Sequence, residues 1–329
     1  MNGMISHQVP VTILTGFLGS GKTTLLNRIL SEHHGHKIAV IENEFGETGI
    51  DSDLLINCEE QIVEMNNGCL CCTVRGDLVR ILGQLAEKRE RGEVKFDHVI
   101  IETTGLADPA PVAQTFFVDD TISDAYRLDA VITVVDAKHA QQQLDKHHEA
   151  QEQAGFADRL LISKADLVNE AEYDALVQRL REINRRAPIQ PVHFGVADIS
   201  GILDIHGFSL NDILEIEPDF LEDVSHEHDD EVKSFVVRET QAYSLERLEF
   251  VFNHLITEHG VDMLRYKGIL NIVGNPNQVV LQGVNMIMGS ESHRPWEPGG
   301  ARTSVLVFIG RKLPENEFRD LLATCVART

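Results

Sequence analysis

The residues best suited to chemistry lie near the start of the chain, where residues 16–24 read Gly-Phe-Leu-Gly-Ser-Gly-Lys-Thr-Thr. An apolar run at residues 9–14 precedes them, and apolar residues at helical spacing follow at residues 25–30. A strand, a glycine turn and a helix with the spacing Gly-x-x-x-x-Gly-Lys-Thr are typical of a phosphate-binding loop, or P-loop. Its backbone N–H groups converge on an anion, and the dipole of the following helix favours negative charge. We therefore predict that the chain binds a nucleoside triphosphate.

The residues of the P-loop would have separate tasks. Lys22 would neutralise the β- and γ-phosphates, and the Thr23 hydroxyl would complete the ligand shell of Mg²⁺. A glycine-rich turn with an unrelated lysine is the competing interpretation, and the strand and helix on either side argue against it. The predicted nucleotide-binding residues of this loop are Gly16, Gly19, Ser20, Gly21, Lys22, Thr23 and Thr24.

A second phosphate motif lies at residues 99–105, which read Val-Ile-Ile-Glu-Thr-Thr-Gly. In P-loop proteins such a strand end places an acid near the Mg²⁺ ion and a backbone N–H near the γ-phosphate. We assign these two roles to Glu102 and Gly105, and we predict that Lys22, Thr23 and Glu102 are the catalytic residues. The alternative is a buried strand that ends in an exposed glutamate.

A motif that suits a purine base follows a later strand, where residues 163–166 read Ser-Lys-Ala-Asp. The Asp166 carboxylate could accept two hydrogen bonds from guanine, at N1–H and at the amino group, and adenine cannot supply this pair. The alkyl stem of Lys164 would lie along the purine. GTPases usually carry Asn-Lys-x-Asp here, so the serine weakens the argument for guanine but leaves its main carboxylate. We therefore predict GTP as the nucleotide.

Residues 69–72 read Cys-Leu-Cys-Cys, and their thiolates at Cys69, Cys71 and Cys72 are soft ligands that suit Zn²⁺ or another late transition metal. Three cysteines do not by themselves close a tetrahedral site. Glu42 and Glu47 lie in a carboxylate-rich stretch between the two phosphate motifs, so a mixed site of sulfur and carboxylate ligands is plausible. Small buried residues or a redox pair are the alternatives.

Histidines form three groups that could bind metal weakly or simply belong to solvated segments. The first group follows the P-loop helix, the second lies in a polar helix, and the third lies in an acidic stretch. The residues concerned are His33, His34, His36, His147, His148, His226 and His228.

Composition limits the partners of the chain. The formal net charge of −23 argues against nucleic acid or an anionic membrane surface as the main partner. No stretch of 18 residues is apolar, and the N-terminus lacks the basic and apolar regions of an export signal. Three of the five cysteines cluster, which indicates reduced thiols and not a disulfide framework. We expect a cytoplasmic protein with no nucleic-acid or membrane partner.

The order of the predicted elements indicates an α/β fold. Strands and helices alternate as far as residue 194, which predicts a parallel sheet covered by helices on both faces. One helix is expected over residues 138–154. Further on, short turns join neighbouring strands, and one of these strands is expected over residues 279–288. Strands joined in this way predict an antiparallel sheet in a smaller α+β domain.

Composition also suggests where the domains divide. Residues 215–231 contain nine acidic residues and no Lys or Arg, a composition that cannot bury enough apolar surface to order itself. We predict a P-loop GTPase domain at residues 1–212, an acidic, histidine-containing linker at 213–231 and a C-terminal α+β domain at 232–329.

Together these motifs make the chain similar to the CobW-like P-loop GTPases, metallochaperones related to the urease and hydrogenase nickel-insertion GTPases. The resemblance covers nearly the whole chain and rests on residues 16–24, 42–47, 69–72, 102–105 and 264–270. It implies slow GTP hydrolysis, binding of Zn²⁺ (with Co²⁺ or Ni²⁺ as alternatives) and delivery to a client metalloprotein. It also implies a ligand set led by Glu42, Glu47 and Cys71, with Cys69 and Cys72 close behind.

The predicted metal ligands lie in the segments that flank the γ-phosphate, so metal affinity should differ between the GTP and GDP states. No residue stands out as a water-activating base, and we expect low turnover unless metal, a homodimer or a partner completes the site. A zinc buffer or sensor with nucleotide as a structural ligand is one alternative. A small-molecule kinase or ATP-driven cofactor-assembly enzyme is another, against which Asp166 argues.

Overall fold

The computed structural model of the chain describes residues 8–32, 35–43, 61–65, 71–193, 195, 202, 203, 205, 232–296 and 300–327, and for residues 43, 61–65, 71–75, 120, 291 and 293 it describes the backbone alone. The chain divides into two compact units. The first comprises residues 1–181 and 186–208, and the second comprises residues 182–185 and 209–329. The predicted linker and the boundary before it lie outside the described residues and stay predictions.

The first unit alternates strands and helices from its beginning. In chain order its described elements are β1 (Val9–Thr15), α1 (Lys22–Ser31), β2 (Ile38–Asn43), β3 (Gln61–Met65), α2 (Cys71–Glu90), β4 (His98–Thr103), α3 (Ala110–Val118), α4 (Asp120–Ala125), β5 (Tyr126–Asp136), α5 (Ala140–Lys146), α6 (His148–Phe156), β6 (Arg159–Ser163), α7 (Glu170–Ile183, whose last two residues fall in the second unit) and β7 (Ile189–Val192).

The strands of this unit form one parallel sheet in the order β3-β2-β4-β1-β5-β6-β7, which confirms the predicted α/β fold. Its two faces bury different helices because side chains alternate along each strand. On β5, Ile132 and Val134 pack in a cluster with apolar residues of α1, whereas the intervening Thr133 donates a hydrogen bond to a main-chain oxygen of α6. The carboxyl ends of all seven strands meet at one edge, and the candidate site lies there.

The helix expected over residues 138–154 is two helices, α5 and α6, and that prediction was wrong. The chain is extended at His147, between them. Gln151 donates a hydrogen bond of 2.8 Å from Nε2 to the Leu144 carbonyl oxygen, one of the groups that the end of α5 leaves without a helical partner. Within the described part of the chain, no helix has both the length and the apolar composition to cross a bilayer.

The second unit is an antiparallel sheet with two helices against it, which confirms the predicted α+β class. In chain order its described elements are β8 (Val232–Glu239), α8 (Leu245–His259), β9 (Arg265–Leu270), β10 (Asn277–Val284), β11 (Ile287–Pro295), β12 (Ser304–Arg311) and α9 (Glu315–Thr324). The strand order is β11-β10-β9-β12-β8. The expected strand at 279–288 instead spans two strands joined by a hairpin, which turns at Asn285 with a φ of 50°.

Candidate nucleotide and metal site

The P-loop connects β1 to α1, and its glycines are required by its shape. Gly16, Gly19 and Gly21 have φ values of 142°, 72° and 99°, a region that side chains with a Cβ rarely adopt. At Gly16 an added Cβ would lie only 2.2 Å from the Val134 carbonyl oxygen. The loop therefore packs against β5 and turns directly into the N-terminus of α1, as a phosphate-binding loop must.

Lys22 crosses this loop from the first turn of α1. Its Nζ donates to the carbonyl oxygens of Gly16, at 2.8 Å, and Phe17, at 3.4 Å. Lys22 is buried, and these hydrogen bonds hold its ammonium group against the main chain of the loop. An incoming phosphate would be a stronger, charged partner for the same group.

Thr23 and Glu102 meet at the carboxyl edge of the sheet, as the sequence predicts for a Mg²⁺ site. The Thr23 hydroxyl donates to Glu102 Oε1 at 3.2 Å. Strand β4, which carries Glu102, pairs with β1 immediately before the P-loop. A hydroxyl and a carboxylate are hard oxygen donors of the kind that Mg²⁺ prefers, so this pair fits the ion.

Glu42 is the one predicted metal ligand whose side chain is described, and it lies beside Glu102. The two residues are paired in register on β2 and β4, and residues so paired point to the same face of a sheet. That face is the one that α1 covers, because Val40 and Ile100, two positions before each glutamate, pack in the same cluster as α1. Glu42 is buried.

The rest of the predicted metal site stays a prediction. Glu47 and Cys69 lie outside the described residues, and Cys71 and Cys72 are described only by their backbone, in the first turn of α2. Among the side chains that the structure describes, no group of three or more His, Cys, Asp or Glu residues could hold a metal ion.

Of the second predicted group, His147 lies between α5 and α6, and His148 is the first residue of α6. The His147 ring lies against the ring of Phe17 in the P-loop, with centroids 4.7 Å apart. Of the first group, His36 is described, and its ring lies 6.1 Å from that of His98. The remaining members of the first and third groups, His33, His34, His226 and His228, lie outside the described residues.

The predicted base-binding segment is attached to the P-loop by two side chains. Ser163 donates from Oγ to the Ser20 carbonyl oxygen at 2.6 Å, and Lys164 donates from Nζ to the Gly19 carbonyl oxygen at 2.7 Å. The serine that departs from the usual Asn-Lys-x-Asp thus contacts the P-loop. Asp166 follows in a 3₁₀ turn, with its carboxylate exposed and His193 Nδ1 at 3.7 Å. Its carboxylate is accessible to a base.

Asp136, at the end of β5, is a site residue to which sequence reasoning gave no role. Its side chain is 2% exposed, and its Oδ2 accepts hydrogen bonds from Lys164 Nζ, at 2.7 Å, and from His139 Nδ1, at 3.0 Å. Burial alone would raise the pKa of this carboxyl, but the bonds from Lys164 and His139 outweigh it and lower the pKa below its usual value. An aspartate that ends an apolar strand was the available signal.

Gln153 in α6 is the second residue that sequence reasoning missed. Its Nε2 donates to the carbonyl oxygens of Ala107, at 3.0 Å, and Gly105, at 3.3 Å. The same loop touches the P-loop, because a Cβ on residue 105 would lie 2.6 Å from the Leu18 nitrogen. The structure thus brings the two predicted phosphate loops together and anchors one of them to α6.

Comparison with known proteins gives a consistent result. Residues 10–191 match the family described as "CobW/HypB/UreG, nucleotide-binding domain", and residues 232–326 match the "Cobalamin synthesis protein cobW C-terminal domain". The chain is 42% identical to the "Zinc chaperone YjiA" of Escherichia coli (strain K12), over 96% of this chain and 98% of that protein. It is 31% identical to the "Zinc-regulated GTPase metalloprotein activator 1" of Dictyostelium discoideum, over 97% and 80%.

A solved structure is similar along the same length. The crystal structure of Zn(II)-bound YjiA GTPase from E. coli matches with a TM-score of 0.79 and 37% sequence identity, and the match covers 99% of this chain and 100% of that one. The similarity therefore extends over both units, beyond the P-loop motifs alone.

Proposed function

Because the chain belongs to the CobW/HypB/UreG family, we propose that it is a GTP-binding zinc chaperone that hydrolyses GTP slowly and delivers Zn²⁺ to a client metalloprotein. The names of its relatives support the zinc and GTPase parts of this proposal. Its cargo could also be Co²⁺ or Ni²⁺, which bind similar mixed ligand sets. The proposal places the protein in the cytoplasm, where thiolate ligands remain reduced.

The geometry of the carboxyl edge of the parallel sheet, where the P-loop lies, supports binding of GTP. Lys22 and Thr23 would contact the phosphates, the N–H of Gly105 would face the γ-phosphate, and Asp166 would accept hydrogen bonds from guanine. Mg²⁺ held by Thr23 and Glu102 would, when bound, neutralise charge on the phosphate oxygens. Lys164 and Ser163 hold the base-binding segment against the P-loop, so the phosphate and base subsites are fixed relative to each other.

The observation that carries the proposal is the short path from Thr23 to Glu42. Thr23 donates a hydrogen bond to Glu102, and Glu102 is paired in register with Glu42 on the next strand. Neighbouring strands lie about 4.8 Å apart. The first proposed zinc ligand is therefore one strand away from a proposed nucleotide-site residue.

This proximity supports a coupling between nucleotide and cargo. A change of nucleotide that alters the Thr23–Glu102 contact would alter the electrostatic field at Glu42. We expect a coupling free energy of about 1–3 kcal/mol, which corresponds to roughly a 5- to 150-fold change in zinc affinity.

The proposed zinc ligands are Glu42, Glu47, Cys69, Cys71 and Cys72. We assign no general base, and slow hydrolysis until a homodimer or the client completes the site is part of the proposal.

The test is the Zn²⁺ affinity of the protein, measured by competition with a chromophoric chelator in the presence of GDP or of a non-hydrolysable GTP analogue. The variants are Cys71→Ala and, as a matched control, Cys325→Ala, which removes a thiol from the second unit. We expect an affinity that depends on nucleotide, that Cys71→Ala abolishes and that Cys325→Ala preserves.

Other outcomes would contradict the proposal in different ways. Tight binding that is the same with both nucleotides would favour a zinc buffer or sensor. The absence of a tight zinc site would exclude both functions and leave a nucleotide-dependent enzyme of another kind.

A further inference from the structure

Gln153 lies outside the nucleotide motifs, yet its side chain contacts one of them. Resting on the proposed binding of GTP, we infer that Gln153 is a positioning residue that holds the Gly105 loop in the conformation that receives the γ-phosphate. Gln153 is buried, with 1% of the residue exposed, although the residues of α6 are mostly polar. A buried amide costs free energy unless it forms hydrogen bonds, so its contacts indicate its role.

Both hydrogen bonds from the Gln153 amide nitrogen go to the same loop. One amide group reaches the carbonyl oxygens of Gly105 and Ala107, two residues apart. The amide oxygen, Oε1, is buried and makes no hydrogen bond to any residue that the structure describes. Among the described residues, the side-chain amide of Gln153 therefore forms hydrogen bonds only to the Gly105 loop.

The other side of Gln153 is fixed to the sheet. Its main-chain oxygen accepts a hydrogen bond of 2.7 Å from Thr133 on β5. Its side chain also lines a small cavity together with Phe17 of the P-loop. Gln153 thus connects strand β5 to a loop in which Gly105 has no Cβ to restrict its own backbone.

This position predicts an effect that depends on the γ-phosphate. The carbonyl of Gly105 is held by Gln153, and the N–H of the same residue is proposed to face the γ-phosphate. If the hydrogen bonds pre-organise the loop, their loss penalises GTP, which uses that N–H, and leaves GDP unaffected. A residue needed only for folding would lower both affinities together, so the ratio of the two affinities separates the interpretations.

The experiment measures the affinities of the full chain for a fluorescent non-hydrolysable GTP analogue and for the matching GDP derivative, with Mg²⁺ present. Gln153→Glu replaces the donor with an acceptor that faces two carbonyl oxygens, and Gln153→Met removes the donor without adding charge. We expect the ratio of GTP-analogue affinity to GDP affinity to fall about tenfold in both variants, as for the loss of one to two buried hydrogen bonds.

The matched control is Gln151→Glu. Gln151 lies on the same helix, is 6% exposed and donates to the Leu144 carbonyl oxygen of α5, not to a phosphate loop. The control should keep the wild-type ratio. An unchanged ratio in Gln153→Met, or an equal loss for both nucleotides, would overturn the inference. A wild-type chain that binds neither nucleotide would instead overturn the proposed function, so the two failures are distinguishable.

Discussion

The carboxyl edge of the parallel sheet and the core of the antiparallel sheet are stabilised by different kinds of contact. At the edge, polar side chains donate to main-chain oxygens of distant loops, as Lys164 does to Gly19 and Gln153 does to Gly105. The core of the second unit is apolar, and Phe308 lies at the centre of a group of aromatic rings within it. Polar contacts can be exchanged for a ligand at little net cost. Close packing cannot, because a lost side chain leaves a cavity.

The largest effect should come from a substitution in the apolar core of the second unit. Phe308 contacts the rings of Phe235, Phe252, Tyr266 and Phe318, with centroids 5.0 to 6.3 Å apart. Phe308→Ala should lower the unfolding free energy of the second unit by about 3–5 kcal/mol, through lost transfer energy and a cavity. Denaturant unfolding monitored by circular dichroism measures it.

The control for this substitution is Phe250→Ala on α8. The Phe250 side chain is 75% exposed, so the same chemical change should alter stability by less than about 0.5 kcal/mol. Equal losses in the two variants would mean that the ring cluster does not dominate the stability of this unit.

On the polar side, Asp166→Asn should change which nucleotide binds while leaving stability almost unchanged. The carboxamide accepts only one of the two hydrogen bonds that guanine offers and presents a donor in place of the other acceptor. Affinity for GDP should fall at least about a hundredfold, and a xanthine nucleotide, which has an acceptor at that position, should bind better than before. Competition titrations with both nucleotides would test this, and unchanged GDP affinity would remove Asp166 from the base site.

Asp136→Asn should weaken the attachment of Lys164 to the P-loop. The ion pair at 2.7 Å becomes a weaker hydrogen bond from the Lys164 ammonium group to a neutral amide oxygen, and we expect nucleotide affinity to fall about tenfold. Asp145→Asn is a matched control, because Asp145 also pairs with a cation at 2.7 Å, here Arg179, but its side chain is largely exposed. Similar effects of both substitutions would argue against a specific role for Asp136.

The pair of Asp136 and Lys164 also gives the smallest expected effect, a dependence of stability on pH. The pKa of Asp136 is lowered from its ordinary value of 3.8. Its contribution to stability is therefore complete above that pH and is lost as the pH falls through the lower value of the folded state. The stability difference between wild type and Asp136→Asn, measured by urea unfolding, should be constant near neutral pH and shrink below about pH 4. A difference that grows on acidification would contradict the assignment.

Local sequence was enough to predict the parts of the site that depend on chain-adjacent residues. The strand before Gly16, the glycine spacing and the helix after Lys22 follow from patterns within about twenty residues, and both sheet classes follow from the order of the elements. The positive φ of Gly16 matches its close approach to β5. The residues that determine these features are therefore close to them in the sequence.

Contacts between distant segments could not be predicted from local sequence. Gln153 lies in a polar stretch, and the role that we propose for it comes from hydrogen bonds to carbonyl oxygens 46 and 48 residues earlier. The interruption at His147 is not marked by a Gly or Pro in the sequence, and the contacts found beside it come from Gln151 and from the ring of Phe17. Asp136 was visible as the end of a strand, but its partner Lys164 lies 28 residues further on.

The bonds from Ser163 and Lys164 to the P-loop join residues 143 and 145 positions apart in the chain. Contacts of such sequence separation form only after the strands between them have assembled, because closing a long loop is entropically costly. We therefore expect the complete proposed nucleotide site to form late in folding. A ligand that binds only this finished state shifts the folding equilibrium by mass action, by about 2.7 kcal/mol at a hundred times its Kd. The nucleotide pool of the cell would then set how long the first unit survives against proteolysis.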